Sequence, residues 1–135
     1  MSILAALKES PATLSKASKF TWMNGAFYMA TGALVLAWPG AAQTLLRDPD
    51  FVGHEAALLR VLGMCVLVIG WLYFFGGRSG GRQFVAATVM DRIVLVPVVL
   101  IPTALAGVLP HTLLLFAVTD PALALVSWYL LSRRS

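Results

Sequence analysis

The chain has 135 residues, of which 59% are hydrophobic and only 12% charged, and it carries a formal net charge of +4. A soluble domain has about 25% charged residues, so this composition excludes a water-coated globule and leaves room for about four membrane-crossing segments of roughly 20 residues joined by short loops. The basic residues flank apolar runs instead of clustering among exposed aromatics, which argues for membrane orientation and against nucleic-acid binding.

Residues 1–19 form a first, modestly amphipathic segment. Ile3, Leu4 and Leu7 can share one helical face, and Lys8, Lys16 and Lys19 supply polar anchors. A short interfacial helix and a partly ordered tail both fit this pattern. The apolar stretch is broken by Lys8, Glu9 and Pro11, and is shorter than the core of a cleavable signal.

Residues 20–135 read as an all-α domain, a bundle of four transmembrane helices. Span one runs from about Phe20 to Trp38 and stops at Pro39-Gly40. The 41–55 loop follows and is net acidic, with Arg47 against Asp48, Asp50 and Glu55. Span two covers about 56–75, and a flexible basic hairpin from Gly76 to Arg82 leads to span three, about 84–108, which contains Pro97 and Pro102. Pro110-His111 makes a tight turn into span four, about 112–131, and the tail carries Arg133 and Arg134.

Three basic segments fall on one side of this arrangement and the acidic loop on the other. The positive-inside rule then puts both termini in the cytoplasm and the protein in the inner (plasma) membrane. Glycines recur seven residues apart in span one (Gly25, Gly32) and in span two (Gly63, Gly70). That spacing sets each pair on one helix face and predicts either a tight hairpin between the two spans or merely the high glycine content of membrane helices.

A charge at the bilayer centre costs about 2.5–3.5 kcal/mol on insertion scales, so intramembrane ionisable residues mark candidate sites. Asp91 and Arg92 lie about eight residues into span three, and Asp120 about nine into span four from the opposite side. At about 1.5 Å per residue, Arg92 and Asp120 reach nearly the same depth, and a pair between them is geometrically easy. Arg60, one turn into span two, points either down toward Asp120 or up to headgroups. Asp91, rotated by about 100° from Arg92, either pairs with another helix or is neutralised by desolvation. Pro121, directly after Asp120, and the two prolines of span three free the backbone carbonyls of Ala117, Ile93 and Val98 in the middle part of the membrane, next to these charges. The group Arg60, Asp91, Arg92 and Asp120 reads as a ligand or ion site, or as a structural pair that pins helix register. Asn24, Tyr28, Thr31, Trp71 and Ser127 are weaker cavity-lining candidates.

No chemistry of another kind is legible. Cys65 is alone, which excludes an intramolecular disulfide and a cysteine metal cluster. His54, Glu55 and His111 share the outer side without a spacing that fixes a metal, so no metal or cofactor is expected. Ser127 lacks a nucleophile elbow, and no catalytic residues are expected.

Gly25…Gly32…Pro39 with Leu45-Leu46, Arg60-Val61-Leu62-Gly63 continuing to Gly70, Asp91-Arg92, and Asp120 ahead of Ala122 and Ala124 resemble the DoxX-like and related small four-span bacterial membrane proteins over residues 20–132. The resemblance implies a four-helix bundle with Arg and carboxylate groups turned inward, acting as an auxiliary subunit or scaffold for membrane redox, lipid or sterol enzymes. The expected function is therefore a membrane binding or scaffold protein. It would hold a lipid-like, sterol or quinone ligand, a partner membrane protein or a second copy of itself. A small oligomeric proton- or ion-coupled transporter or channel is the alternative, and a lipid-modifying membrane enzyme the third reading.

Overall fold

In the computed structural model, residues 2–133 are described; Met1, Ser135 and the Arg134 half of the expected basic tail lie outside them. Among the described residues six helices follow one another. They are α1 (Ile3–Lys8), α2 (Lys16–Ala37), α3 (Ala41–Leu46), α4 (Glu55–Arg78), α5 (Arg82–Leu105) and α6 (Pro110–Ser132).

Local chemistry sets most of their ends. Ser2 caps α1 by accepting from the Ala5 N–H, and Ser15 caps α2 by accepting from Ser18. The non-helical backbone at Trp38 (φ −134°, ψ 79°), the residue before Pro39, stops α2. Pro110 occupies the first turn of α6, where its missing N–H costs nothing. α5 runs unbroken through Pro97 and Pro102.

The helix ends differ from the sequence expectation at several places. α2 begins at Lys16, four residues before Phe20 and inside the segment expected to precede the bundle. The 41–55 segment contains the short helix α3, whose Ala41 and Ala42 are buried. α4 continues through Gly76 and Gly77, residues expected in a flexible hairpin, because Gly77 packs on α2 with its backbone against Trp22 and Ser18. α5 ends at Leu105 instead of near 108, and Gly107 turns the chain with φ +89°.

The tertiary structure is two hairpins laid together. α2 and α4 form the most extensive helix contact, α5 and α6 the next, and α4 meets α5 only thinly. The α2–α4 contact rests on absent side chains. Gly25 faces Gly70 and Gly32 faces Gly63, with Ser18 opposite Gly77 at the same seven-residue step. A Cβ built on Gly70 would lie 2.5 Å from the Met29 nitrogen and 2.7 Å from the Gly25 oxygen, so the two backbones touch where no other residue fits.

Among the described residues three helices, α4, α5 and α6, are long and apolar enough to cross a membrane. Large apolar side chains point outward along them, among them Val98, Leu105 and Val118 at 67%, 77% and 67% exposure. α2 has 22 residues but buries a polar stripe, Ser18, Thr21 and Asn24, against its neighbours.

The end of the molecule carrying α3 is held by one buried acid. Asp48 accepts from the backbone N–H groups of His111 (2.7 Å) and Thr112 (3.0 Å), and also from the Thr112 hydroxyl. It thus caps α6 from more than sixty residues away, where unpaired N–H groups and the helix dipole favour a carboxylate. His111 Nδ1 lies 3.0 Å from the Arg47 carbonyl and 3.4 Å from Asp48. Asp48→Ala should lower stability by about 1–2 kcal/mol, the usual range for a lost cap. Thermal melting in detergent reads this, and an unchanged midpoint would show that the cap contributes nothing.

Candidate functional site

The site starts from two tyrosines in matching surroundings. α2 reads Gly25-x-x-Tyr28-x-x-x-Gly32, and α4 reads Gly70-x-x-Tyr73-x-x-x-Gly77. In each helix the tyrosine lies one turn from glycines that touch the other backbone. The close approach of α2 and α4 brings the two rings together, 5.8 Å apart and edge to face, and each tyrosine is only 6% exposed.

Arg92 reaches this pair from α5. Its guanidinium carbon lies 5.8 Å from the Tyr28 ring centre and 5.6 Å from that of Tyr73, a cation–π contact on two sides. Arg92 Nε donates to Asp120 Oδ1 at 2.9 Å, and Nη2 donates to the Asp120 carbonyl at 3.3 Å. The Tyr28 hydroxyl donates to the same Asp120 Oδ1. Arg92 is 1% exposed and Asp120 13%, and α2, α4, α5 and α6 each contribute a side chain to the cluster, as Tyr28, Tyr73, Arg92 and Asp120. Arg92 Nη1 is buried with no hydrogen-bond partner among the described residues.

Asp91 differs from Asp120 although it is next to Arg92. The Tyr73 hydroxyl lies 3.3 and 3.4 Å from its two oxygens, a single long donation shared between them. Asp91 is exposed at the protein surface.

These groups form one end of a cavity of about 310 Å³ between α4 and the α5–α6 hairpin, where α4 and α5 hardly touch. Tyr28, Tyr73, Asp91, Arg92 and Asp120 make the polar end. Leu62, Val66 and Ile69 from α4 face Leu95, Val99 and Leu100 from α5 along the apolar length. A narrow greasy cleft with a few convergent polar groups is the usual form of a small-molecule site, here at the small end of the range.

The structure gathers four of the sequence-derived residues, Tyr28, Asp91, Arg92 and Asp120, at this cavity, and leaves the others elsewhere. Arg60 is exposed on α4 and has no ion pair among the described residues, so the downward reach to Asp120 does not occur. Trp71 is 44% exposed and packs on Phe75. Thr31 returns its hydroxyl to the Phe27 carbonyl and lines a separate, almost wholly apolar groove between α2 and α6. Ser127 is fully buried and bonded to the Leu123 carbonyl. Asn24 is buried with its Nδ2 unpaired, away from the cavity.

Sequence reasoning missed Tyr73, which the repeated glycine–tyrosine pattern of α2 and α4 would have picked out. Among the described residues no group of three or more His, Cys, Asp or Glu side chains is placed to hold a metal. The chain matches no protein-family model, no curated protein and no solved structure.

Proposed function

We propose that this protein is a four-span membrane protein that binds an amphipathic small molecule in the cavity between α4 and the α5–α6 hairpin. The carrying observation is that cavity itself, about 310 Å³ of apolar cleft ending on Arg92, Asp91 and two tyrosines. In this reading α2 is the first span, since it packs along the whole glycine face of the apolar α4. Its polar side chains are turned inward, where hydrogen bonding between helices tolerates them. The basic residues Lys16, Lys19, Arg78, Arg82 and Arg133 then lie at one end, which puts both termini on the cytoplasmic side of an inner membrane. α1, with Ile3 and Leu4 81% and 72% exposed, rests on that surface. The arrangement offers binding without an acid–base or nucleophilic set aimed at a shared atom, which favours a binding or auxiliary role over catalysis.

Val99→Trp would fill the apolar length of the cleft without touching the polar end. Mass spectrometry of molecules retained through purification in a mild detergent should find an amphiphile with the parent protein and at least about fivefold less with Val99→Trp. That ratio corresponds to about 1 kcal/mol of lost binding. Equal retention by both proteins would place any bound molecule on the outer surface and remove the cavity from the reading.

A further inference from the structure

The ionic groups at the polar end of the cavity do not balance. One guanidinium, Arg92, stands against two carboxylates, Asp91 and Asp120. Arg92 and Asp120 are already matched in charge: Nε and Nη2 are committed to Asp120, the Tyr28 hydroxyl covers the same carboxylate, and the arginine, whose Nη1 is buried without a partner among the described residues, is only 1% exposed. What remains for a visitor is Asp91, exposed, with four lone-pair positions and only the long Tyr73 donation to occupy them. Asp91 is nine residues into α5, about 13 Å along the helix axis from its start. A carboxylate at that depth is costly unless something compensates it. Arg60 does not, since it stands exposed on α4 outside the cavity lining.

The groups around Asp91 can be counted element by element. α2 contributes Tyr28, α4 contributes Tyr73, α5 contributes Arg92, and α6 contributes Asp120. Of these only Arg92 is cationic, and its charge is paired with Asp120. The accessible charge of the cleft is therefore negative, and its remaining walls are aliphatic or aromatic. An anionic headgroup would meet Asp91 directly. A neutral alcohol would satisfy its lone pairs but leave the charge.

We infer that the occupant of this cavity is a lipophilic cation, an amphiphile whose positive group sits against Asp91 while its apolar body lies between Leu62, Val66 and Ile69 and the facing residues of α5. The inference rests on the amphiphile-binding reading and adds the charge of the ligand. A proton is the competing occupant of Asp91, so cation binding weakens as pH falls.

Tetraphenylphosphonium and tetraphenylborate have the same shape and opposite charge, and they separate charge from greasiness. Equilibrium dialysis of each against the purified full chain in a neutral maltoside detergent, at pH 8 and at pH 5, is the test. The phosphonium should bind at least about tenfold more tightly than the borate at pH 8, as expected for one close charge pair in a partly desolvated site. The preference should shrink at pH 5. Asp91→Asn should lose the preference and Asp91→Glu should keep it, with matching thermal melts showing that both variants are folded. If Asp91→Asn does not fold, Asp91→Glu, the pH series and the borate comparison still decide. Equal binding of the two ions, or a preference that survives Asp91→Asn, would overturn the inference. If uncharged amphiphile is retained by the parent and lost from Val99→Trp while the phosphonium does not bind, the cavity reading stands and the cation assignment fails. If neither is retained, both fail.

Discussion

Asp120→Ala should destabilise the protein by about 3–5 kcal/mol, the range for removing one partner of a buried ion pair. The cause is what it leaves behind. Arg92 is 1% exposed, its Nη1 already lacks a partner, and both of its hydrogen-bonded nitrogens point at Asp120. The substitution also strips the acceptor from the Tyr28 hydroxyl. Two aromatic faces would remain beside a guanidinium with no counter-charge. The double variant Arg92→Leu/Asp120→Leu removes both charges together and should melt much closer to the parent, because an apolar pair in place of a buried ion pair is often neutral or better. Thermal denaturation in detergent of the parent, Arg92→Leu, Asp120→Leu and the pair gives the coupling directly. Additive losses with no recovery in the pair would show that the ion pair is not the reason for the cost. The pair variant also separates structure from function: a stable protein that no longer retains ligand would assign the charges to binding.

Gly25→Val should be the other severe change, costing about 3 kcal/mol or more, at the upper end of overpacking penalties. A Cβ at this position would lie 2.7 Å from the Gly70 oxygen and against the backbone of Phe74. Main chain, unlike a flexible side chain, cannot turn away, so α2 and α4 must separate. Separation moves Tyr28 from Tyr73 and opens the aromatic clamp on Arg92, so ligand retention should fall with stability. Gly81→Ala is the control. Its Cβ would meet the Ser79 hydroxyl at 3.4 Å and Phe84 at 3.6 Å, ordinary contact distances, and the change should stay within about 0.5 kcal/mol. A Gly25→Val protein that melts with the parent would mean that the two backbones are not in contact.

Much of the site was legible because charge is rare here. Three ionisable residues inside two apolar runs identify themselves, and depth counting along antiparallel helices puts Arg92 and Asp120 at one level. The same counting left Arg60 open, since a long side chain on one helix reaches either way and only packing decides. Asp48 illustrates the opposite limit. In the sequence it is one of several acids in a polar loop; in the fold it is buried under α6, because the unpaired N–H groups it caps belong to residues more than sixty positions later.

The sequence by itself determined that the chain is helical, where its long segments lie to within a few residues (though not the short α3), the asymmetry of basic residues and the seven-residue glycine step. Each of these is a local or periodic property that needs no partner to be read. Only the tertiary structure decided that α4 and α5 part to leave a cavity, that Tyr73 joins Tyr28 around Arg92, and that Asp120 is enclosed while Asp91 is not. Asp91 and Arg92 are adjacent in sequence yet face opposite fates, because a helix turns about 100° per residue. Which side of that turn meets protein and which meets open space is settled by the neighbouring helices.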